Sequence, residues 1–251
     1  MKRALAALGL AAACTGGLAV AETRLVVDGS TTVGPIAKAL AEWSMREHPG
    51  LNITVSESGS GNGVKSLLHG ACDVATLSRA LRADGREAAA RLGIQVAERV
   101  IAMDGLAVVV HPGNPLRGLT RAQLRAIYAG EIRRWSELGG PDLKIVVMGR
   151  DANSGTCESF QTLVMETGTV TETAEVCGSN GQVRQRVMGT PGAIGYVGLA
   201  FVRGLKPLAV DGVAPGPETV QSREYSLSRP LYFCTRGEPV ATRAASSARA
   251  T

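Results

Sequence analysis

Arg150, Ser154, Gly155 and Thr156 sit close together inside GRDANSGTCESF, residues 149–160. A guanidinium, two hydroxyls and a glycine in that compass are the groups that hold an oxyanion. Arginine adds charge and fork geometry. Hydroxyls add donors, and glycine lets the backbone come close. An apolar run at residues 143–148 (LKIVVM) leads in and reads as a strand, and a helical pattern leaves from Cys157. The first N–H groups of such a helix have no intrahelical partner, and the peptide dipoles make that end electropositive. The same residues also suit an ordinary Ser/Thr-capped helix.

The arrangement recurs twice upstream. A strand at residues 24–28 breaks into Ser30, Thr31 and Thr32 before a helical run with Ile36, Leu40 and Trp43 on one face. A strand at residues 51–56 runs into Gly59-Ser60-Gly61-Asn62-Gly63, and a helix is expected over residues 64–69. GSGNGVKS falls short of a P-loop because Val64 stands where the second glycine belongs. A dinucleotide fingerprint fails at the same residue, so these glycines suit a small anion better than a nucleotide.

The elements that must carry these turns alternate. Further strands are expected at residues 72–77, 94–102, 106–110, 193–199 and 206–210, with Met103-Asp104-Gly105 joining the middle pair. Helices are expected over residues 82–93, 119–138 and 181–189, and the tail after Pro215 reads as loop. Strands alternating with helices indicate an α/β protein. Arg117, Arg121 and Arg125 share one helix face, which suits either a solvated surface or a docking surface.

Composition narrows the classes. Of 251 residues 45% are hydrophobic and only 4% aromatic, so the core is aliphatic and little surface can stack on bases. The net charge of +5 falls to +3 without residues 1–21, which hold Lys2, Arg3 and no acid, and no dense basic run remains to bind nucleic acid. Residues 1–21 read as a signal peptide: a basic start, an apolar stretch and Ala19-Val20-Ala21 as cleavage site. Cys14 after three alanines faintly suggests lipoprotein processing instead. Cys72, Cys157, Cys177 and Cys234 remain after cleavage, an even number that favours disulfides in an exported chain, with Cys157–Cys177 the preferred pair. His48, His69 and His111 lack ligand spacing, so no metal or cofactor is expected. No G-x-S-x-G surrounds Ser60, which argues against a hydrolase or phosphatase.

Seven blocks together resemble the phosphate-binding, periplasmic substrate-binding proteins of bacterial phosphate import transporters, over nearly the whole chain after residue 21. They are GSTTVGPIAKALAEW, ESGSGNGVKSLLHGACDVATLSRAL, DGLAVVVHPGNP, LTRAQLRAIYAGEIRRWSELGG, GRDANSGTCESF, TPGAIGYVGLA and YSLSRPLY, in family order. The resemblance implies an α/β, two-lobed periplasmic-binding-protein-like fold (type II) with the ligand in the cleft. Its lobes would be residues 22–105 plus 203–251, and residues 106–202. It implies a monomeric periplasmic receptor, not an enzyme, with high affinity for inorganic phosphate, delivering it to the permease of an ABC transporter. A receptor for sulfate, molybdate or arsenate, or a secreted phosphate scavenger, is the alternative. The phosphate-binding residues it implies are Thr31, Thr32, Ser60, Ser78, Arg150, Ser154, Gly155 and Thr156. Ser78 falls where some longer members place an aspartate that accepts the proton of hydrogen phosphate. Asp104 or Asp73 would supply that acceptor instead.

Overall fold

The structure, a computed structural model, describes residues 23–238. The expected signal peptide, with Cys14, lies outside them. In chain order the elements are β1 (Thr23–Gly29), α1 (Gly34–Glu47), β2 (Leu51–Val55), α2 (Ser60–Leu68), β3 (Val74–Leu77), α3 (Ala83–Arg91) and β4 (Val96–Val110). There follow β5 (Gly118–Leu119), α4 (Arg121–Ala129), β6 (Val146–Arg150), α5 (Gly155–Phe160), β7 (Glu175–Cys177), α6 (Asn180–Gly189) and β8 (Ala193–Gly198). The chain finishes with β9 (Lys206–Pro207), β10 (Ala209–Val210), α7 (Pro217–Gln221) and β11 (Ser228–Arg236).

One sheet runs β2-β1-β3-β11-β4-β8-β6-β7, with β9 also on β4. β4 joins its two ends. Residues 96–105 of β4 pair antiparallel with β11, and residues 106–110 pair with β8. The sequence suggests two strands broken at Met103-Asp104-Gly105, but β4 is continuous. Gly105 pairs with Ser228 in the ladder, so the glycine is accommodated inside a strand. Next to it, Leu106 N–H donates to Leu227 C=O at 2.9 Å.

The run Leu106–Val110 is fully buried because both sheet faces are covered there. Leu106, Val108 and Val110 enter a core with Leu124, Ile127, Tyr128, Trp135, Phe160 and Tyr196. Ala107 and Val109 enter another with Met148, Val183, Val187 and Val197. Each such aliphatic side chain contributes about 1.5–3 kcal/mol on burial. Val64, Leu67, Leu77, Leu81 and Cys234 form a separate core against β1, β3 and β11.

Two expectations, the loop tail and the helix over 119–138, are corrected by this arrangement. The tail is not loop: β11 lies in mid-sheet between β3 and β4. Pro230, which has no N–H to give the ladder, sits close to a register shift at Leu231/Tyr232, where a strand tolerates it. Residues 206–227 do not return to the first core. β9 pairs with Val109 and Val110, β10 pairs with β5, and Leu208, Val210, Val220, Tyr225 and Leu227 pack with Leu106 and Val108. The helix expected over 119–138 stops at Ala129, because Gly130 takes a left-handed φ of 79°. Thr120 and Gln123 form its capping box.

The four described cysteines are free, so the expected Cys157–Cys177 bridge is absent. Cys177 faces the Val183 and Val187 core, whereas Cys157, in the first turn of α5, contacts Tyr196 of the other core. Among the described residues no helix is long and apolar enough to cross a membrane.

Candidate functional site

The three hydroxyl-bearing turns meet at the middle of the molecule. After β1 the chain turns at Gly29, where φ is 136° and a Cβ would lie 2.9 Å from Thr76 Oγ1, so only glycine fits. Ser30 Oγ then accepts Thr32 N–H at 3.1 Å, which folds the turn and buries Thr31 and Thr32. α2 begins at Ser60, earlier than the expected residue 64, because Gly59 supplies a φ of 100° just ahead of it. Ser60 Oγ accepts Ser78 N–H at 3.2 Å, and the two hydroxyls lie 3.4 Å apart.

α5 brings the third turn against these two. Ser154 caps it, its Oγ accepting Cys157 N–H at 3.2 Å, which leaves its hydrogen to donate. Phe160 anchors the helix, stacked on Tyr196 with centroids 4.1 Å apart and 4.4 Å from Tyr128. Tyr128 in turn donates to Met148 C=O of β6 at 3.2 Å. Held this way, α5 sets Thr156 Oγ1 3.0 Å from Thr32 Oγ1 and Gly155 against Ser60 and Ser78.

All eight residues expected from the sequence are buried, and seven gather around this meeting of turns. Arg150 stands to one side. It is 5% exposed, and its Nε and Nη2 donate to Cys177 C=O and Gly178 C=O at 3.0 and 3.1 Å. Its Nη1 is buried with no hydrogen-bond partner. Burial pulls the guanidinium below its ordinary range, opposed by the nearby Asp151 carboxylate.

Two buried residues at the centre were not singled out from the sequence. Asn180, the first residue of α6, donates from Nδ2 to Thr31 Oγ1 at 2.9 Å and Thr32 Oγ1 at 3.0 Å. Arg229 of β11 donates from Nη2 to Thr32 Oγ1 at 3.3 Å and Thr156 Oγ1 at 3.1 Å. A signal for Arg229 existed: it takes the inward place between Leu227 and Leu231, where a strand facing the core carries apolar residues. Nothing in GSNGQ marks Asn180 apart from a routine helix start.

The two aspartates expected to accept a ligand proton do other work. Asp73 is exposed and accepts Val26 N–H at 2.7 Å on the far side of β1. Asp104 is buried against Arg229: its Oδ2 accepts Nε and Nη2 at 3.0 and 2.9 Å, and its Oδ1 accepts Leu199 N–H at 3.0 Å. Burial pushes its carboxyl up from the ordinary value, with Arg229 and the Leu199 N–H pulling against that.

The rim is bridged by charge. Arg79, next to Ser78, binds Glu158 of α5, with Nη2 to Oε1 at 3.1 Å. His48 and His69 are exposed at the ends of α1 and α2, and His111 is in a loop. Arg121 is paired with Asp211 and Arg125 with Glu166, while Arg117 precedes α4 and so does not share its helix face. Among the described residues no cluster has the composition to hold a metal ion.

Residues 17–250 match the model of the PBP superfamily domain. The chain is 32% identical over 217 residues to the phosphate-binding protein PstS of Bacillus subtilis, covering 85% of this chain and 70% of that one. It is 30% identical to PstS of Borreliella burgdorferi, covering 84% and 78%. Among solved structures, a phosphate ABC transporter substrate-binding protein from Clostridium perfringens with bound phosphate superposes with a TM-score of 0.82. It shares 33% identity, covering 88% and 89% of the two chains. An ABC-type phosphate transport receptor from Vibrio cholerae gives 0.69 at 32% identity, covering 86% and 88%.

Proposed function

The chain belongs to the phosphate-binding substrate-binding proteins of the PBP superfamily and binds phosphate for transport, and from that premise we propose how its own residues do so. The molecule is two lobes, residues 23–105 with 228–238 and residues 106–227. Phosphate is held where Thr31, Thr32, Ser60 and Ser78 of the first meet Arg150, Ser154, Gly155 and Thr156 of the second. The observation that carries this is the 3.0 Å approach of Thr32 and Thr156, residues 124 apart in sequence, at a buried junction of three hydroxyl turns. Neutral donors would form most of the cradle and Arg150 would supply charge, with its unpartnered Nη1 as a donor. Opening and closing of the lobes would admit the ligand and then exclude water.

The protein then acts as a monomeric receptor of high affinity outside the cytoplasmic membrane, handing phosphate to the permease of an ABC transporter. This reading makes it a receptor and not an enzyme, in line with the phosphate-binding and phosphate-transport relatives it matches. Calorimetry on phosphate-stripped protein tests the reading. Arg150→Ala should weaken phosphate binding by about 100-fold while the thermal melt stays cooperative. Absence of binding by the wild type at millimolar phosphate would sink it, and turnover of a chromogenic phosphate ester would revive an enzyme.

A second reading, another oxyanion as ligand, is favoured by one feature. Ser78 presents a hydroxyl, which can donate or accept, where a carboxylate would insist on a protonated oxygen. Competition by sulfate, molybdate and arsenate distinguishes the two.

A further inference from the structure

A threonine hydroxyl has one hydrogen and two lone pairs, so its other partners decide which way it faces a ligand. At this site those partners point one way. Asn180 Oδ1 accepts Gly198 N–H at 3.2 Å, which orients the amide and makes Nδ2 the donor to Thr31 and Thr32. Arg229 Nη2 only donates: one of its two hydrogens goes to Asp104 Oδ2, and the other is shared between Thr32 Oγ1 and Thr156 Oγ1. Thr32 Oγ1 thus has both lone pairs engaged, one by Asn180 and one by Arg229. Its own hydrogen must go to Thr156 Oγ1, 3.0 Å away. Thr156 Oγ1 then receives from Thr32 and Arg229, and its hydrogen is left for a ligand.

Arg229 is rigidly set for this task. It is 4% exposed and held through Nε and Nη2 by Asp104, itself fixed by Leu199 N–H. The pair sits on β11 and β4, the two strands that cross between the lobes.

We propose that Arg229, with Asn180, is a positioning residue of the anion site: it makes Thr32 and Thr156 a one-way relay of donors that ends in a hydroxyl able only to donate. The ligand oxygen docked on Thr156 must then be unprotonated. The proton of hydrogen phosphate falls on the opposite wall, at Ser60 and Ser78, whose hydroxyls are free to turn. The inference rests on the phosphate-binding reading above.

A double-mutant cycle tests it, read as phosphate affinity by calorimetry on stripped protein. Arg229→Lys keeps the charge and loses the fork. It should weaken binding by roughly 10- to 100-fold in the wild-type background and by less than about 3-fold when Thr156→Val has removed the end of the relay. A merely structural role predicts the same loss in both backgrounds, and that result, or no loss in the first, overturns the proposal. If Arg229→Lys lacks a cooperative melt, Asn180→Leu takes its place in the same cycle, where unequal losses support the relay and equal losses overturn it. Wild-type protein that binds no phosphate overturns the underlying function itself, a result separable from either.

Discussion

Gly155 and Ser60 face each other so closely that a Cβ on residue 155 would overlap the serine hydroxyl and lie 2.7 Å from Ser78 Oγ. Gly155 opens α5, which packs through Phe160 in one core, and Ser60 opens α2, which packs through Val64 and Leu67 in another, so the overlap would exist only with those cores together.

Gly155→Ala should therefore block closure and leave each core intact. Phosphate affinity is expected to fall about 100-fold, while the ligand-free melting temperature stays near that of the wild type, since overpacking of about 1–3 kcal/mol is relieved by separation. Calorimetry beside thermal melts checks this, and a variant that binds as tightly as the wild type refutes the close approach as a condition of binding.

Arg79 and Glu158 tie the rim of the same junction, with Arg82 Nη1 a further 3.5 Å from Glu158 Oε2. These side chains are partly exposed, so the pair is worth little as stability and more as a latch. Glu158→Gln should speed phosphate dissociation about 3- to 10-fold with little change in association. Stopped-flow traces should also show wild type and variant converging at high salt. Equal dissociation rates at low salt would remove the latch.

The thiols give a pH dependence. Burial, helped by Asp28 and Asp73, pushes Cys72 up to about 11. Burial, helped by Glu98, pushes Cys234 up to about 12. An unfolded thiol ionises near its ordinary value of 9.0, whereas the folded one keeps its proton. Above pH 9 the unfolded chain binds fewer protons than the folded one, so stability declines as pH rises from 9 to about 11. Urea midpoints across that range should fall, and Cys72→Ala with Cys234→Ala should flatten the decline. In native protein both thiols should resist a disulfide reagent that labels them once the chain is unfolded.

The meeting hydroxyl turns were legible because their chemistry is local: Ser30 to Thr32, Ser60 and Arg150 to Thr156 each lie on one short turn between elements with clear periodicity. Arg229 and β11 were not. A serine-rich lead and Pro230 make residues 222–236 read as loop, and only pairing on both sides with β3 and β4 holds them extended. The strand break expected at Met103-Asp104-Gly105 failed for the same reason, since partners on β11 override what a glycine prefers alone. Asn180 was invisible because its role depends on Thr31 and Thr32, 149 and 148 residues away.

The chain leaves the second core where it entered, with Leu106 and Leu227 joined by a hydrogen bond and Gly105 beside Ser228. Residues 106–227 thus begin and end side by side. A tight turn spliced between Gly105 and Ser228 would turn β4 and β11 into a plain hairpin and spare the first module its guest. Expressed as two polypeptides, the modules would still touch through Arg79–Glu158 and Thr32–Thr156, and phosphate would serve as added glue of a two-piece assembly.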